Sequence, residues 1–207
     1  MINGLWRQRT ASRERVAWAQ MQTTARPGES AKVPLLEHDG DVVVESLDVA
    51  RYVDTIPCGS PRLVPDDAVA VALVDRFLAL WPTVETSYYA VLKATSQDDA
   101  DARQQAFLSA LKDLENLLAT QKGVYLLGDR ISVAECIAAP WIQRWSVTLP
   151  RFRKLDLHDG LLAPNGLERV AAWTRAVAQR PAALETKAPE SEMIAAAERY
   201  YVSYVTP

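Results

Sequence analysis

The sequence is poor in the residues that build metal centres and disulfide frameworks. Only two cysteines, Cys58 and Cys136, and two histidines, His38 and His158, are spread through the chain, with no CxxC and no Cys/His cluster at metal-ligand spacing. So few cysteines read as the reduced thiols of an intracellular protein, and no metal is expected. One histidine in a turn and one in a loop are also a poor basis for a catalytic triad. No apolar run reaches membrane-spanning length, and the start, MINGLWRQRTASRERVAW, is charged where a signal peptide would be apolar. A cytoplasmic location without a membrane partner is the expectation, with the Arg- and Ser-containing start leaving an organellar address open. A formal net charge of -3 gives no general attraction to phosphate backbones, so no nucleic acid is expected as a partner. The run Arg151-Phe152-Arg153-Lys154 is accordingly read as an exposed basic loop.

What the chain does have is a hydrophobic content of 49% in 207 residues, enough for one sizeable core or two small ones. It also has one stretch with strong local chemistry, KVPLLEHDGDVVVESLDVARY over Lys32 to Tyr52. Asp39-Gly40 between two apolar runs signals a tight hairpin, because glycine tolerates the positive φ that such turns demand. After the β-branched run Val42-Val43-Val44 the pattern changes to helical spacing at Leu47, Ala50 and Val53, with Ser46 as a natural N-cap. A carboxylate, Glu45, and a hydroxyl, Ser46, therefore meet at a helix N-terminus, where unpaired donors and a partial positive charge suit an anion. On residue types alone, a plain helix cap beside a surface carboxylate is the readier explanation of the pair.

Upstream the pattern is weaker. Met1 to Gln8 carries a faint strand pattern, Ser12 can cap a short helix through Met21, and Thr23 to Ala31 reads as loop. Downstream, Ile56-Pro57-Cys58-Gly59-Ser60-Pro61 is the best linker in the chain, which divides it into domains 1–57 and 65–207. The second domain reads as all helical. A long helix starts at Asp66 or Asp67 with Pro82 as an expected kink, a second runs from Asp98 to Gln121, and a third opens on the capping box Ser132-Val133-Ala134-Glu135. The body of that third helix, Ile137 to Trp145, is apolar on most sides and should be central. Two further helices fit Leu167 to Gln179 and Ser191 to Tyr204. Trp81, Tyr88, Tyr89, Tyr200, Tyr201 and Tyr204 are either core aromatics or the lining of an apolar pocket for a second substrate.

These segments resemble the cytosolic glutathione transferase superfamily, in its serine- and cysteine-type classes. KVPLLEHDGDVVVESLDVARYV resembles the Val-Pro, hairpin and Glu-Ser of that family's thioredoxin-like domain. PRLVPDD, YLLGDRISVAECIAAPWI and LERVAAWTRAVAQRPA look like its post-linker segment, capped core helix and late helix. The implied fold is a thioredoxin-like N-terminal domain followed by an all-helical C-terminal domain. The implied co-substrate is glutathione, held by Lys32, Val33, Pro34, Glu45 and Ser46: Val33 through its main chain, Pro34 as the cis-proline before the hairpin, Glu45 on the α-amino group and Ser46 on the carboxylate. Matching Glu14-Arg15-Val16 to the family's first helix puts Thr10, with Ser12 as the adjacent alternative, where the group that hydrogen-bonds the glutathione sulfur belongs.

The expected activity is conjugation to a small electrophile, or thiol-dependent isomerase or reductase chemistry, in a homodimer. The alternative is a non-catalytic scaffold or interaction subunit of a protein complex. Between the first helix and Val33 only about ten loop-like residues stand where a parallel crossover needs at least a dozen. The N-terminal domain is therefore expected to be shortened, through true loss of a strand and helix or through a truncated or mis-spliced reading frame.

Overall fold

The computed structural model describes residues 34–57, 61–64 and 66–206. They form a small two-stranded sheet with one helix, then a helical C-terminal domain, and the chain divides into two compact units between Arg62 and Leu63. In the first unit, β1 (Leu35–His38) and β2 (Asp41–Val44) pair antiparallel in the register Leu35↔Val44 to His38↔Asp41. The two-residue loop between them has φ of 50° at Asp39 and 92° at Gly40. Two consecutive positive φ values define the hairpin turn whose twist matches that of its strands, and Asp-Gly is its natural sequence. Helix α1 (Ser46–Thr55) follows after a single residue and is tied back to the hairpin by a 3.1 Å hydrogen bond between His38 Nδ1 and the Tyr52 hydroxyl.

The second unit is built on α2 (Ala68–Leu92), α3 (Gln97–Leu118), α4 (Val133–Arg153) and α5 (Glu168–Ala178), followed by the short α6 (Pro181–Glu185) and by α7 (Glu190–Tyr200). Local chemistry explains where the long helices begin. Asp67 accepts from the Ala70 amide at 2.9 Å to cap α2, and Ser96 accepts from the Asp99 amide at 3.2 Å to cap α3. Ser132 and Glu135 form the expected capping box at the head of α4. Each of the four long helices contributes an aromatic ring to one buried cluster. Phe77 stacks on Trp81 with centroids 5.1 Å apart, Trp81 lies 5.8 Å from Trp145, Trp145 meets Phe107 edge-on at 5.4 Å, and Trp173 closes on Phe77 at 6.1 Å. Each such ring contributes roughly 1.5–3 kcal/mol by burial, and the edge-to-face pairs Phe107–Trp145 and Phe77–Trp173 add orientation. Trp81 is thus core.

Three prolines lie inside helices. Helix α2 continues for a further ten residues after Pro82, and α4 contains both Pro140 and Pro150. An interior proline costs about 3 kcal/mol in an isolated helix, so burial of the faces around it has to offset that loss. The basic run is also corrected: Arg151 to Arg153 is the last turn of α4, and Phe152 and Arg153 are buried. The Arg153 guanidinium donates to the carbonyls of Val91 at 2.9 Å, Leu92 at 2.7 Å and Phe152 at 2.8 Å, and to that of Tyr204. A cation thereby closes the C-terminal end of α2, where carbonyls lack helical partners. The same contact, with the Thr206 amide donating to the Phe152 carbonyl at 3.0 Å, draws the tail onto α4. Helix α7 accordingly ends at Tyr200, short of the expected Tyr204. Between α4 and α5 the chain forms a π-helical turn (Leu157–Leu162) that holds His158, expected in a loop.

Candidate functional site

In the first unit the candidate site is the junction of β2 and α1. The sequence pattern puts the cap on Ser46; in the structure Glu45 is the cap residue and Ser46 opens the first helical turn. Glu45 has φ 71° and ψ 129°, a conformation that favours glycine and costs a side-chain-bearing residue on the order of 1–3 kcal/mol. Its carbonyl accepts the first helical hydrogen bond, from the Val49 amide at 2.9 Å, but its side chain makes no capping bond. The carboxylate of Glu45 and the hydroxyl of Ser46 are both exposed at the head of a ten-residue helix. The first amides of that helix have no intrahelical acceptor, so the junction presents donors and an acceptor side by side. Such a pair can hold the two ends of an α-amino acid group: the donors take its carboxylate and the carboxylate takes its ammonium.

Pro34 is exposed immediately before β1. Thr10, Ser12, Lys32 and Val33, the other site residues named by the sequence, lie outside the described residues, as do the expected N-terminal strand and helix.

The helical unit holds a separate cavity of about 240 Å³, lined by Tyr88 and Tyr89 of α2, Arg144 and Thr148 of α4, Glu192 of α7, and Tyr201. Of the six aromatics singled out in the sequence, Tyr88, Tyr89 and Tyr201 gather here, whereas Trp81 is core, Tyr200 is exposed and Tyr204 sits over Arg153. Tyr89 and Tyr201 have ring centroids 4.4 Å apart. Thr148 donates to the Arg144 carbonyl at 2.7 Å, which leaves the Tyr88 hydroxyl to donate to Thr148 at 2.7 Å. Burial pushes the Tyr88 phenol up to about 12, against the opposing effects of the Thr148 bond and the Arg144 charge. Burial likewise raises Tyr89, again opposed by Arg144. Both phenols are therefore neutral donors at physiological pH.

Arg144 was not legible as a cavity residue, since one arginine on an apolar helix also fits a solvent-facing position. Its only sequence signal is Trp141 one turn earlier, over whose ring the guanidinium carbon lies at 4.2 Å. Among the described residues no three His, Cys, Asp or Glu side chains gather into a metal site, and no helix is long and apolar enough to cross a membrane.

A hairpin passing through a strained acidic residue into a helix, followed by a helical domain with a capping box at its central helix, is the fold of a glutathione transferase. Residues 97–176 match the family "Glutathione S-transferase, C-terminal domain". Glutathione S-transferase L2, chloroplastic, of Arabidopsis thaliana is 29% identical over 82% of this chain and 52% of its own length. Maleylacetoacetate isomerase of Rattus norvegicus is 30% identical over 64% of each chain. Among solved structures, glutathione transferase Omega 3C from Trametes versicolor superposes with a TM-score of 0.65 at 22% identity, covering 82% of this chain and 70% of that one. The trimeric glutathione transferase TDR1 of Leishmania gives 0.70 at 23% identity over 83% of this chain and 37% of that one. Residues 97–176 carry the C-terminal domain of the glutathione S-transferase family, and the chain as a whole is similar to glutathione transferases in sequence and fold. It spans about half the length of several of the curated relatives it matches.

Proposed function

We propose that the protein binds glutathione and transfers it to a small electrophile, or uses its thiol in isomerase or reductase chemistry. In this reading residues 1–57 form the glutathione-binding domain and 65–207 the helical domain. The observation that carries it is the Glu45–Ser46 junction: an exposed carboxylate held at φ 71° over the head of a helix, with no capping bond of its own. Local strain of this kind persists where the position of the side chain matters more than backbone comfort. Glu45 receives the α-amino group and Ser46 the adjacent carboxylate, with Lys32, Val33 and Pro34 along the rest of the peptide. Thr10 or Ser12 donates to the sulfur and favours the thiolate, whose proton passes to solvent. The thiolate attacks the electrophilic carbon to form the new C–S bond while a leaving group departs with its electron pair or, in an addition, while the π pair moves to the neighbouring atom and takes a proton from solvent.

The names of the transferase and isomerase relatives support this class of chemistry. A homodimer belongs to the same reading. So does a reduced compartment, in which the thiol persists; the cytoplasm meets that need, and so does the location in the name of the L2 relative.

The test is retention on immobilised glutathione. Wild-type protein should be retained and eluted by free glutathione, and Glu45→Ala and Ser46→Ala should each be lost from the column while unfolding at the wild-type temperature. Wild-type protein that passes straight through leaves the scaffold reading in place of the enzyme. Where binding holds, turnover of an electrophilic aromatic substrate by Thr10→Ala and Ser12→Ala assigns the sulfur partner, and unchanged rates in both remove these two residues from that role.

A further inference from the structure

One wall of the cavity in the helical unit carries a cation. Arg144 lines it, stacked 4.2 Å over Trp141, and Nη1 of its guanidinium is shut off from solvent without a hydrogen-bond acceptor. No carboxylate pairs with it among the described residues. The acidic residue that shares the cavity, Glu192, is exposed. Leaving a charged donor without an acceptor away from solvent is costly, and an acceptor supplied by a ligand or by water offsets that cost. Around this cation the walls are aromatic: Tyr88, Tyr89 and Tyr201, with Lys93 adding positive charge 5.8 Å from the centroid of the Tyr201 ring.

We infer that the cavity binds an aromatic carboxylate, its ring against Tyr89 and Tyr201 and its anionic end on Arg144. A cavity of roughly 150 Å³ accepts benzene, and this one measures about 240 Å³. It has room for a ring system with a short acidic arm. The guanidinium of Arg144 carries only donors, which matches a carboxylate and mismatches a second donor, while the Tyr88 hydroxyl proton is already committed to Thr148. Glu192 opposes the anion from the exposed side and thereby limits its affinity. This inference names the class of the second ligand for the function proposed above. Its test uses no glutathione, so the two readings fail separately.

The full chain is titrated calorimetrically with 2-naphthoate and with the neutral 2-naphthamide, without glutathione. A charge-assisted contact predicts that wild-type protein binds the acid about tenfold or more tightly than the amide. In Arg144→Gln the preference collapses towards one while the amide binds as in wild type, which also reports that the cavity is intact. Ala196→Trp, a substitution of a lining residue on α7, removes binding of both. Glu192→Lys, an exposed change that leaves the packing alone, tightens the acid about threefold or more without affecting the amide. Equal affinities in wild type, an acid preference retained in Arg144→Gln, binding unaffected by Ala196→Trp, or acid affinity unchanged in Glu192→Lys would each overturn the proposal.

Discussion

Glu135 of α4 accepts the indole N–H of Trp173 of α5 at 2.9 Å, in the interior of the helical unit. The same carboxylate accepts from the Ser132 amide at 2.8 Å, the Ser132 hydroxyl at 2.7 Å and the Leu126 amide at 2.8 Å. Four donors thus surround one fully buried carboxylate, and what begins as a helix cap becomes the joint between a loop and two helices. Replacing Glu135 by Ala leaves these donors unsatisfied and should destabilise the unit by about 3–5 kcal/mol, read by urea denaturation. Trp173→Phe, which removes one donor and keeps most of the ring, should cost about 1–2 kcal/mol. A loss below 1 kcal/mol for Glu135→Ala would mean that the carboxylate serves as a cap alone.

Arg153 joins the end of α2 to the tail through carbonyls, with no carboxylate in direct contact among the described residues. Arg153→Met keeps the length and apolar stem but removes every donor to Val91, Leu92, Phe152 and Tyr204. Destabilisation of about 2–4 kcal/mol is expected. The tail from Val202 to Thr206 should become the first site of proteolytic cleavage. Limited proteolysis with mass spectrometry checks the second outcome, and a tail as protected as in wild type would refute it.

The strain at Glu45 predicts opposite effects on stability and binding. Glycine adopts φ 71° freely, so Glu45→Gly should leave stability unchanged or raise it by about 1 kcal/mol. The same substitution removes the proposed ammonium acceptor and should abolish retention on glutathione. Retention at the wild-type level would show the carboxylate to be a bystander.

His158 supplies a pH signature. Burial, then the charge of Arg175, lowers its pKa below the ordinary 6.5, and its Nδ1 is buried without a partner. The unfolded chain therefore takes up the proton more readily than the folded one, so the contribution of this residue to stability is complete above pH 6.5. It is lost as the pH falls from there towards the lowered folded value. Midpoints of urea unfolding should decline across that interval, and His158→Asn should flatten the decline. Identical slopes in the two proteins would exclude His158 as its source.

Much of the fold is written in short-range chemistry. Asp39-Gly40 dictates the hairpin because two successive positive φ values are needed in a two-residue loop. Asp67, Ser96 and Ser132 start the long helices because their side chains satisfy the first amides, a requirement met within three residues. Glu45 beside Ser46 places a carboxylate and a hydroxyl at a helix head whatever the remainder of the chain does, and for the same reason the resemblance to glutathione transferases was readable from these segments.

Other features depend on partners far away in the chain. Whether Glu45 or Ser46 takes the cap is decided by a backbone angle that residue type alone disfavours. Helices α2 and α4 continue past Pro82, Pro140 and Pro150 because of what their faces bury. Arg153 lies in a run that reads as exposed, and only the arrival of the α2 carboxyl end and the tail makes it a buried cap. The cavity around Arg144 exists because α2, α4 and α7 converge on it from separate parts of the sequence. Local hydrogen-bonding needs can be inferred from neighbouring residues, whereas the seclusion of a charge from solvent is a property of the packed helices alone.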